Sequence, residues 1–353
     1  MTQAITDHSY PPAAQCAPIA LLALELLADL RAWAVEYPQV LQAVPMEALA
    51  ISAATISPWR SAGQLRLTAR MYVWAYALDD HVEQNVQSLA ELDDLFDRCN
   101  TIIRGGDQDD SHPLLAALSG WQSALARCPL YPRLAGLWAD RFAEALRGER
   151  YDWTAGRARD NGDGPSDPEE YLSHAASSNA WITHFPRWAT SDRGDLPDSL
   201  AVLNSALEEI EVAVRLANDL ATFRRERAEP GQNNILMYDT SPQWVRSELA
   251  RHSATARQLL NPLADSGCLS AVELLRLLDW SITFYERADF RGWGSDVGQP
   301  QRLPRSRRAS WRSFRPRPLP SAPATTHSRA FTRHPAHSGT EIKLARAVSI
   351  HRG

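Results

Sequence analysis

The residues of this chain best suited to chemistry form a row of oxygen-bearing side chains, Asn218, Thr222 and Glu226. Each lies four residues after the one before it, in a segment with the composition of a buried helix. Residues at i, i+4 and i+8 share one face of an α-helix, so the three oxygens are expected to face a common point. Carboxylate and neutral oxygens are ligands of Mg²⁺, so the row predicts one side of a magnesium site.

A second acidic cluster, Asp79, Asp80 and Glu83, directly follows the apolar run 71–78. Asp79 and Glu83 are four residues apart and therefore share a helix face. Carboxylates at the mouth of an apolar cavity repel one another unless cations lie between them. Each cluster alone also fits a solvated helix face, so the prediction of a metal site rests on the two together.

Helical segments surround both clusters, and the sequence predicts an all-α fold in a single domain. Stretches of strong helix formers alternate with glycine and proline breaks, and no sustained period-2 alternation indicates a strand. The predicted helices cover 21–30, 64–80, 89–104, 112–127, 132–149, 168–189, 199–227, 242–260 and 270–287.

The chain is expected to have three parts: a flexible segment 1–17, a helical domain 18–296 and a tail 297–353. From Arg302 onward it holds 12 of the 37 basic residues and one of the 42 acidic residues, Glu341. Arginine, proline and serine are abundant there and amphipathic periodicity is lost, which predicts disorder. The tail is interpreted as a basic arm or, given the abrupt change in composition, as a translated frameshift.

The sequence also allows a prediction of the compartment in which the protein resides. There is no uncharged apolar run of about 18 residues, and residues 1–18 lack the pattern of a secretory signal, so neither a membrane span nor secretion is predicted. The four cysteines are scattered without CxxC spacing, which favours a reducing cytoplasm. No nucleic-acid partner is expected.

Together the two clusters resemble the aspartate-rich motif and the Asn-x-x-x-Ser/Thr-x-x-x-Glu triad of microbial class I terpene synthases. The resemblance covers roughly residues 20–296, and the DDxxE form of the first motif is an accepted variant. It implies a helical bundle with a central active-site cavity. It also implies that three Mg²⁺ ions bind the diphosphate of an isoprenoid substrate, whose allylic C–O bond ionises before the carbocation cyclises.

The resemblance further implies residues around the reacting groups. Diphosphate contacts are expected from Arg215, Arg225, Arg291 and Asn179. Aromatic residues expected to line the cavity and stabilise cations are Tyr76, Trp74, Trp181, Phe223, Trp280 and Tyr285.

Two features of the family pattern are missing from this sequence. The family's diphosphate-sensing arginine, which lies upstream of the triad asparagine, has no counterpart in the window 170–179. The arginine–tyrosine pair that follows the last core helix is matched only by Arg291, without the tyrosine. If the tail is a frameshift, that pair would have been lost with it.

The motifs are compatible with several substrates and functions. The missing sensor and the DDxxE motif favour a C20 substrate, either geranylgeranyl diphosphate or a labdane-type diphosphate made by a class II diterpene cyclase. The alternatives are a sesquiterpene synthase using farnesyl diphosphate and a non-catalytic helical protein of the same ancestry. A prenyltransferase is disfavoured because the sole lysine, Lys343, lies in the tail.

The segment Asp107–Asp110 matches the DxDD motif of class II cyclases, but its glycine and proline neighbours predict a solvated turn. A homodimer is left open.

Overall fold

The computed structural model describes residues 13–175, 180–191 and 196–291, and these residues are α-helical with short connections. They contain no β-strand, which confirms the all-α prediction. The tail 297–353 lies outside the described residues. The helices are α1 (Ala13–Ala34), α2 (Pro38–Leu41), α3 (Met46–Ile56), α4 (Ala62–Gln84), α5 (Leu89–Ile103), α6 (Pro113–Leu125), α7 (Tyr131–Asp160), α8 (Pro168–Ala175), α9 (Ala180–Ala189), α10 (Leu196–Glu226), a 3₁₀ helix (Ile235–Met237), α11 (Pro242–Asp265) and α12 (Leu269–Tyr285).

Serine caps define where several helices begin. At the start of α4, Ser61 Oγ accepts a hydrogen bond from the Gln64 backbone N–H at 3.3 Å, and Gln64 Oε1 accepts one from the Ser61 N–H at 3.0 Å. Ser88 and Ser241 cap α5 and α11 with the same type of bond. These bonds satisfy N–H groups that the first helical turn leaves without partners.

The observed helices differ from the predicted ones mainly at their ends. Helix α1 begins at Ala13, inside the segment 1–17 that was predicted to be flexible. Helix α7 continues to Asp160, well past the predicted end at residue 149, because Trp153 and Gly156 are buried against the rest of the bundle. The predicted helix 168–189 corresponds to α8 and α9, and the residues between them are not described. Helices α2 and α3 were not predicted.

Helices α4 and α10 form the centre of the bundle. Helix α4 packs against α1, α3, α6 and α9, while α10 packs against α9, α11 and α12. Four tryptophans are fully buried between these helices: Trp74, Trp138, Trp181 and Trp188. Three of these four indole N–H groups are hydrogen-bonded, as when Trp138 Nε1 donates to Gln122 Oε1 at 3.1 Å, whereas Trp188 Nε1 has no partner among the described residues. Among the described residues seven tryptophans are buried, including these four, so most of the twelve tryptophans fill the core.

Helix α1 is long and apolar enough to cross a membrane when judged by length and composition alone. It nevertheless packs a buried stripe, which includes Leu22, Leu26 and Leu30, against α3 and α4. Its Asp29 also pairs with Nε of two arginines of α4, at 3.0 and 2.9 Å. These contacts make α1 part of the helical bundle.

Candidate active site

The acidic cluster lies in the last turns of α4, at the rim of a cavity. Oxygens of Asp79, Asp80 and Glu83 lie within 4.8 Å of one another, as the ligands of one metal ion would. Burial, followed by the charge of Asp79, raises the pKa of Glu83 to about 7. Burial also raises the pKa of Asp80. Carboxylates held together in this way are stabilised by a bound cation, and we call these three residues the acidic arm.

Arg291 lies among the carboxylates of the acidic arm. Its Nη2 is 2.8 Å from Asp79 Oδ2, 3.2 Å from Asp80 Oδ1 and 2.6 Å from Glu83 Oε2. The preceding residue, Phe290, packs against aromatic rings of α12 and so holds this segment over the cavity. The predicted diphosphate contact Arg291 is therefore placed at the cavity mouth, as a counter-charge to the acidic arm.

Asn218, Thr222 and Glu226 line the same cavity from α10, and we call them the triad arm. Thr222 is buried, and its Oγ1 donates to the Asn218 backbone carbonyl at 2.9 Å. The fully buried Asn234 donates from Nδ2 to Glu226 Oε2 at 2.9 Å and to Thr222 Oγ1 at 3.5 Å. These contacts fix the side chains of the triad arm beside the cavity.

One loop, 230–234, connects the two arms. Gln232 Nε2 donates to Glu83 Oε1 at 3.2 Å, while Asn234 holds Glu226. Both clusters that the sequence predicted thus meet at one cavity mouth. Their donor atoms are carboxylate, amide and hydroxyl oxygens, which fit a hard divalent cation such as Mg²⁺ better than a soft one.

The position of this loop depends on a close approach to α7. Gly231 has φ of +77°, which favours glycine, and its N–H donates to Asp160 Oδ2 at 2.7 Å. Gly156 of α7 faces the Gly231 carbonyl so closely that a Cβ at residue 156 would overlap it. The two glycines therefore allow Gln232 and Asn234 to reach the arms.

Arg215, predicted to contact the diphosphate, is the centre of a buried polar network. Its Nη1 lies 2.8 Å from Asp152 Oδ2, and its Nε lies 3.2 Å from Asp219 Oδ1. Nε also donates to Tyr171 Oη at 2.6 Å, and Nη2 donates to the Asn233 carbonyl at 3.0 Å. Because these partners belong to α7, α8, α10 and the loop beneath the arms, Arg215 holds these elements together. It also lines the cavity, and its contact with a diphosphate stays a prediction.

Other cations surround the cavity mouth. Arg225 lines the cavity next to the triad arm, with Nη2 3.5 Å from Glu226 Oε1. Arg157, which the sequence analysis did not single out, also lines it, with its guanidinium 3.7 Å from the centre of the Trp153 ring. The predicted contact Asn179 lies outside the described residues.

The predicted aromatic residues divide into two groups. Three line the cavity: Tyr76, Trp280 and Tyr285. The other three do not: Trp74, Trp181 and Phe223. Trp74 and Trp181 are core residues whose Nε1 atoms donate to the Leu114 carbonyl at 2.9 Å and to Asn204 Oδ1 at 3.0 Å. Phe223 is rotated about 100° from Thr222 on α10, and its ring lies 5.7 Å from the guanidinium of Arg227, the residue that follows this helix.

The cavity below the two arms has a volume of about 550 Å³, within the range of roughly 300–1,000 Å³ common for small-molecule sites. The polar groups of the two arms lie at its mouth, and both polar and apolar side chains line its wall. The apolar ones include Leu49, Ala75, Val82, Val214 and Leu277. The arrangement can bind a molecule with an anionic end and a hydrocarbon body.

Some polar residues of the cavity were missed by the sequence analysis: Glu149 is the last residue of the predicted helix, and Asp152 and Asp160 lie beyond its predicted end. Glu149, Asp152 and Asp160 line the cavity from α7. Burial raises the pKa of Glu149 well above its usual range, with the charge of Asp79 as the second cause. Their spacing with Arg157 follows one helix face, and this periodicity was the signal available in the sequence.

The DxDD-like segment Asp107–Asp110 lies in the loop between α5 and α6. Hydrogen bonds from the Ser111 hydroxyl and N–H, together with Arg98, lower the pKa of Asp109 to about 2. The segment is thus a hydrogen-bonded loop, as predicted, and its aspartates do not line the cavity that holds the two arms.

A family model described as terpene synthase family 2, C-terminal metal binding, matches residues 70–243, which contain both arms. The chain belongs to this family, and it is a class I terpene synthase, a lyase that acts on diphosphate substrates. It is 75% identical over 276 residues to the ent-pimara-9(11),15-diene synthase of Streptomyces sp. (strain KO-3988), an alignment that covers 78% of this chain and 94% of that enzyme. The family and the acidic arm together indicate a divalent-metal centre.

Solved structures of bacterial terpene synthases share the fold at low sequence identity. The 2-methylisoborneol synthase of Streptomyces coelicolor A3(2) aligns with a TM-score of 0.58 and 15% identity, over 76% of this chain and 93% of that one. The linalool/nerolidol synthase of Streptomyces clavuligerus, in complex with 2-fluorogeranyl diphosphate, gives 0.54 and 17%, over 76% and 94%. These similarities concern the fold.

Proposed function

We propose that this enzyme converts a C20 isoprenoid diphosphate into a cyclic diene and releases diphosphate. The observation that carries the proposal is the 75% identity to an enzyme named as an ent-pimara-9(11),15-diene synthase, over 94% of that enzyme. Pimaradienes are tricyclic C20 hydrocarbons, so a substrate with twenty carbons follows if the activity is shared.

Between the two C20 substrates, the labdane-type bicyclic diphosphate is favoured over geranylgeranyl diphosphate. The first two rings of such skeletons form after an alkene is protonated, and the aspartates of the DxDD-like loop do not line the cavity. A bicyclic substrate removes that requirement and leaves a single ring to close. A class II diterpene cyclase would then act before this enzyme as its pathway partner.

We propose that three Mg²⁺ ions bind between the acidic arm and the triad arm. When bound, the ions neutralise the charge that develops on the departing diphosphate and so favour ionisation of the allylic C–O bond. The oxygens of Asp79, Glu83, Asn218, Thr222 and Glu226 are the groups that would hold them. Arg291 must leave the acidic arm for cations to enter, and its guanidinium then becomes available to the diphosphate.

The cavity wall determines what the hydrocarbon meets after ionisation. Apolar walls exclude water, which would otherwise trap the carbocation as an alcohol. The faces of Tyr76 and Trp280 stabilise positive charge by about 0.5–2 kcal/mol each. Tyr76 lies about one helical turn before Asp79 and is thus close to the acidic arm.

The proposal is tested by offering the purified protein geranylgeranyl, labdane-type C20 and farnesyl diphosphates with Mg²⁺. We expect a tricyclic diene from the labdane-type substrate, detected by gas chromatography–mass spectrometry. Products from farnesyl diphosphate alone would establish the sesquiterpene alternative, and absence of diphosphate release from all three would establish the non-catalytic one. A cytoplasmic location and a homodimer stay predictions from the sequence.

A further inference from the structure

Glu211 lines the cavity from α10, seven residues before Asn218. Seven residues make almost two helical turns, so Glu211 lies on the face of the triad arm and about 10 Å from Asn218 along the axis. Helix α4 shows the same register, since Tyr72 lines the cavity seven residues before Asp79. Both arms lie toward the C-terminal ends of their helices, so Glu211 faces the hydrocarbon end of the cavity.

The contacts of Glu211 leave one of its oxygens available. Glu211 is 4% exposed, and its Oε1 accepts a hydrogen bond from the Trp181 backbone N–H at 3.0 Å. Trp181 is the second residue of α9, where an N–H has no carbonyl partner within its own helix. Within the described parts of the chain, no hydrogen-bond donor to Oε2 is found. Oε1 thus caps α9, and Oε2 takes no part in that contact.

Glu211 is shielded from water, and few charged groups act on its carboxyl. Burial raises its pKa to about 8, while the Trp181 N–H and the charge of Arg141 oppose the shift and Glu144 adds to it. Arg141 itself is bonded to Glu208 and Glu144, so it does not neutralise Glu211 as a direct partner. The carboxylate form of Glu211, which can accept a proton, therefore becomes more populated as the pH rises toward 8. A carbocation in the cavity stabilises this form further, because opposite charges attract one another strongly in a low dielectric.

We propose that Glu211 is the catalytic base that ends the reaction by taking a proton from the cyclised carbocation. This inference rests on the proposed formation of a diene. The C–O bond first breaks with both electrons leaving on diphosphate. In the last step a C–H bond next to the cationic carbon breaks, its electron pair forms the new C=C bond, and the proton goes to Glu211 Oε2. The carboxylic acid later returns the proton to solvent.

Glu149 is the other buried glutamate of the cavity, and its position suits this role less well. It lies near the metal end, where Asp79, Asp152 and Glu83 act on its charge. Glu211 is instead influenced by Arg141 and Glu144 and lies two turns deeper than the triad arm. A base that acts on the hydrocarbon skeleton must lie at that deeper end.

The test replaces Glu211 with glutamine (Glu211→Gln), whose side-chain oxygen can still accept the Trp181 N–H and cap α9. We expect diphosphate release within about threefold of the wild-type rate, because ionisation takes place at the arms. The wild-type diene should fall at least tenfold, replaced by isomeric alkenes or an alcohol, as measured by gas chromatography–mass spectrometry.

Glu208→Gln is the matched control on the same helix. Glu208 pairs with Arg141 and is not part of the cavity wall, so this variant should keep the wild-type product profile. If Glu211→Gln forms the same products in the same proportions as the wild type, at whatever rate, the proposal is overturned. If neither Glu211→Gln nor Glu211→Asp folds, the carboxyl is structural and the proposal is overturned as well.

The products of the wild-type enzyme show whether a failed test contradicts the role of Glu211 or the proposed function. A wild-type enzyme that makes no diene from any C20 diphosphate would contradict the proposed function by itself. A wild-type enzyme that makes the diene, together with an unchanged profile in Glu211→Gln, would contradict only the role of Glu211.

Discussion

Glu226 is the charged member of the triad arm, and its carboxylate is held beside the cavity by Asn234. Glutamine at this position keeps the size of the side chain and removes the charge that attracts a divalent cation. We expect Glu226→Gln to lose the rise in melting temperature that Mg²⁺ with inorganic diphosphate gives the wild type. Diphosphate release from substrate should fall by about 100-fold or more.

Glu229→Gln is the control for this change. Glu229 pairs with the same arginine as Glu226, with Arg225 Nη1 3.2 Å from its Oε2, but it is exposed and does not line the cavity. This variant should respond to Mg²⁺ as the wild type does. A normal thermal response in Glu226→Gln would show that Glu226 is not a metal ligand.

Glu211 also makes a prediction about stability and pH. Its pKa is about 8 in the folded protein, compared with 4.5 as the ordinary value, so between these pH values the folded state holds a proton that the unfolded state has lost. The stabilising effect of that proton is complete below about pH 4.5 and is lost as the pH rises through about 8. The contribution to the unfolding free energy falls by about 1 kcal/mol per pH unit in this window.

Glutamine cannot titrate, so Glu211→Gln should gain stability relative to the wild type as the pH rises from 5 to 8. Melting temperatures of both proteins at pH 5, 6.5 and 8 measure this difference. A difference that stays constant across the three pH values would mean that Glu211 titrates normally.

At the residue scale, side-chain chemistry could be predicted and side-chain direction could not. The oxygens of Asn218, Thr222 and Glu226 share a face because their spacing is helical, and the structure brings them to the cavity. Arg215 looked equally available in the sequence. Its pairing with Asp152, 63 positions earlier in the chain, arises only when α7 packs beside α10.

At the scale of elements, the loop 230–234 crosses α7 and thereby positions Gln232 and Asn234, which hydrogen-bond to the two arms. Alanine at Gly156 would place a Cβ against the Gly231 carbonyl, so the loop would have to shift. We expect Gly156→Ala to lower the unfolding free energy by about 1–3 kcal/mol. It should also weaken the thermal response to Mg²⁺ and diphosphate, because Gln232 and Asn234 move with the loop.

Gly136→Ala tests the same substitution in the same helix without the close approach. No atom lies within 4 Å of a Cβ built at Gly136, so alanine should stabilise α7 by about 0.5–1 kcal/mol. Chemical denaturation of both variants measures the two effects. Equal stability of Gly156→Ala and wild type would show that the loop adapts to the added methyl group.

Helix positions followed from local signals more reliably than helix ends did. Helix α4 has a serine cap, an apolar body and an acidic end, and all three are visible in the sequence. Helix α7 continues past residue 149 because buried contacts of Trp153 and Gly156 stabilise its second half. Those contacts are made with distant parts of the chain, so local propensity cannot reveal them.

At the scale of the whole molecule, the helical body and the tail differ in net charge. The last 52 residues, from Arg302 onward, hold 12 of the 37 basic residues, so the body before them is acidic. An acidic body that binds an anionic diphosphate needs cations at its mouth. Metal ions, Arg157, Arg225 and Arg291 can supply that positive charge, and we expect the substrate to bind through these cations and not through the net charge of the chain.

The sequence by itself determined the all-α fold and the two oxygen-rich arms, which depend on residue type and helical spacing and are therefore local properties. The same motifs carried the family resemblance that indicated the class of enzyme. Only the tertiary structure decided that Tyr76, Trp280 and Tyr285 line the cavity while Trp74, Trp181 and Phe223 do not. It also placed Arg291 between the carboxylates and Glu211 in the cavity wall. The physical reason is that a cavity is enclosed by helices far apart in the chain, and which face of each helix it meets is set by packing.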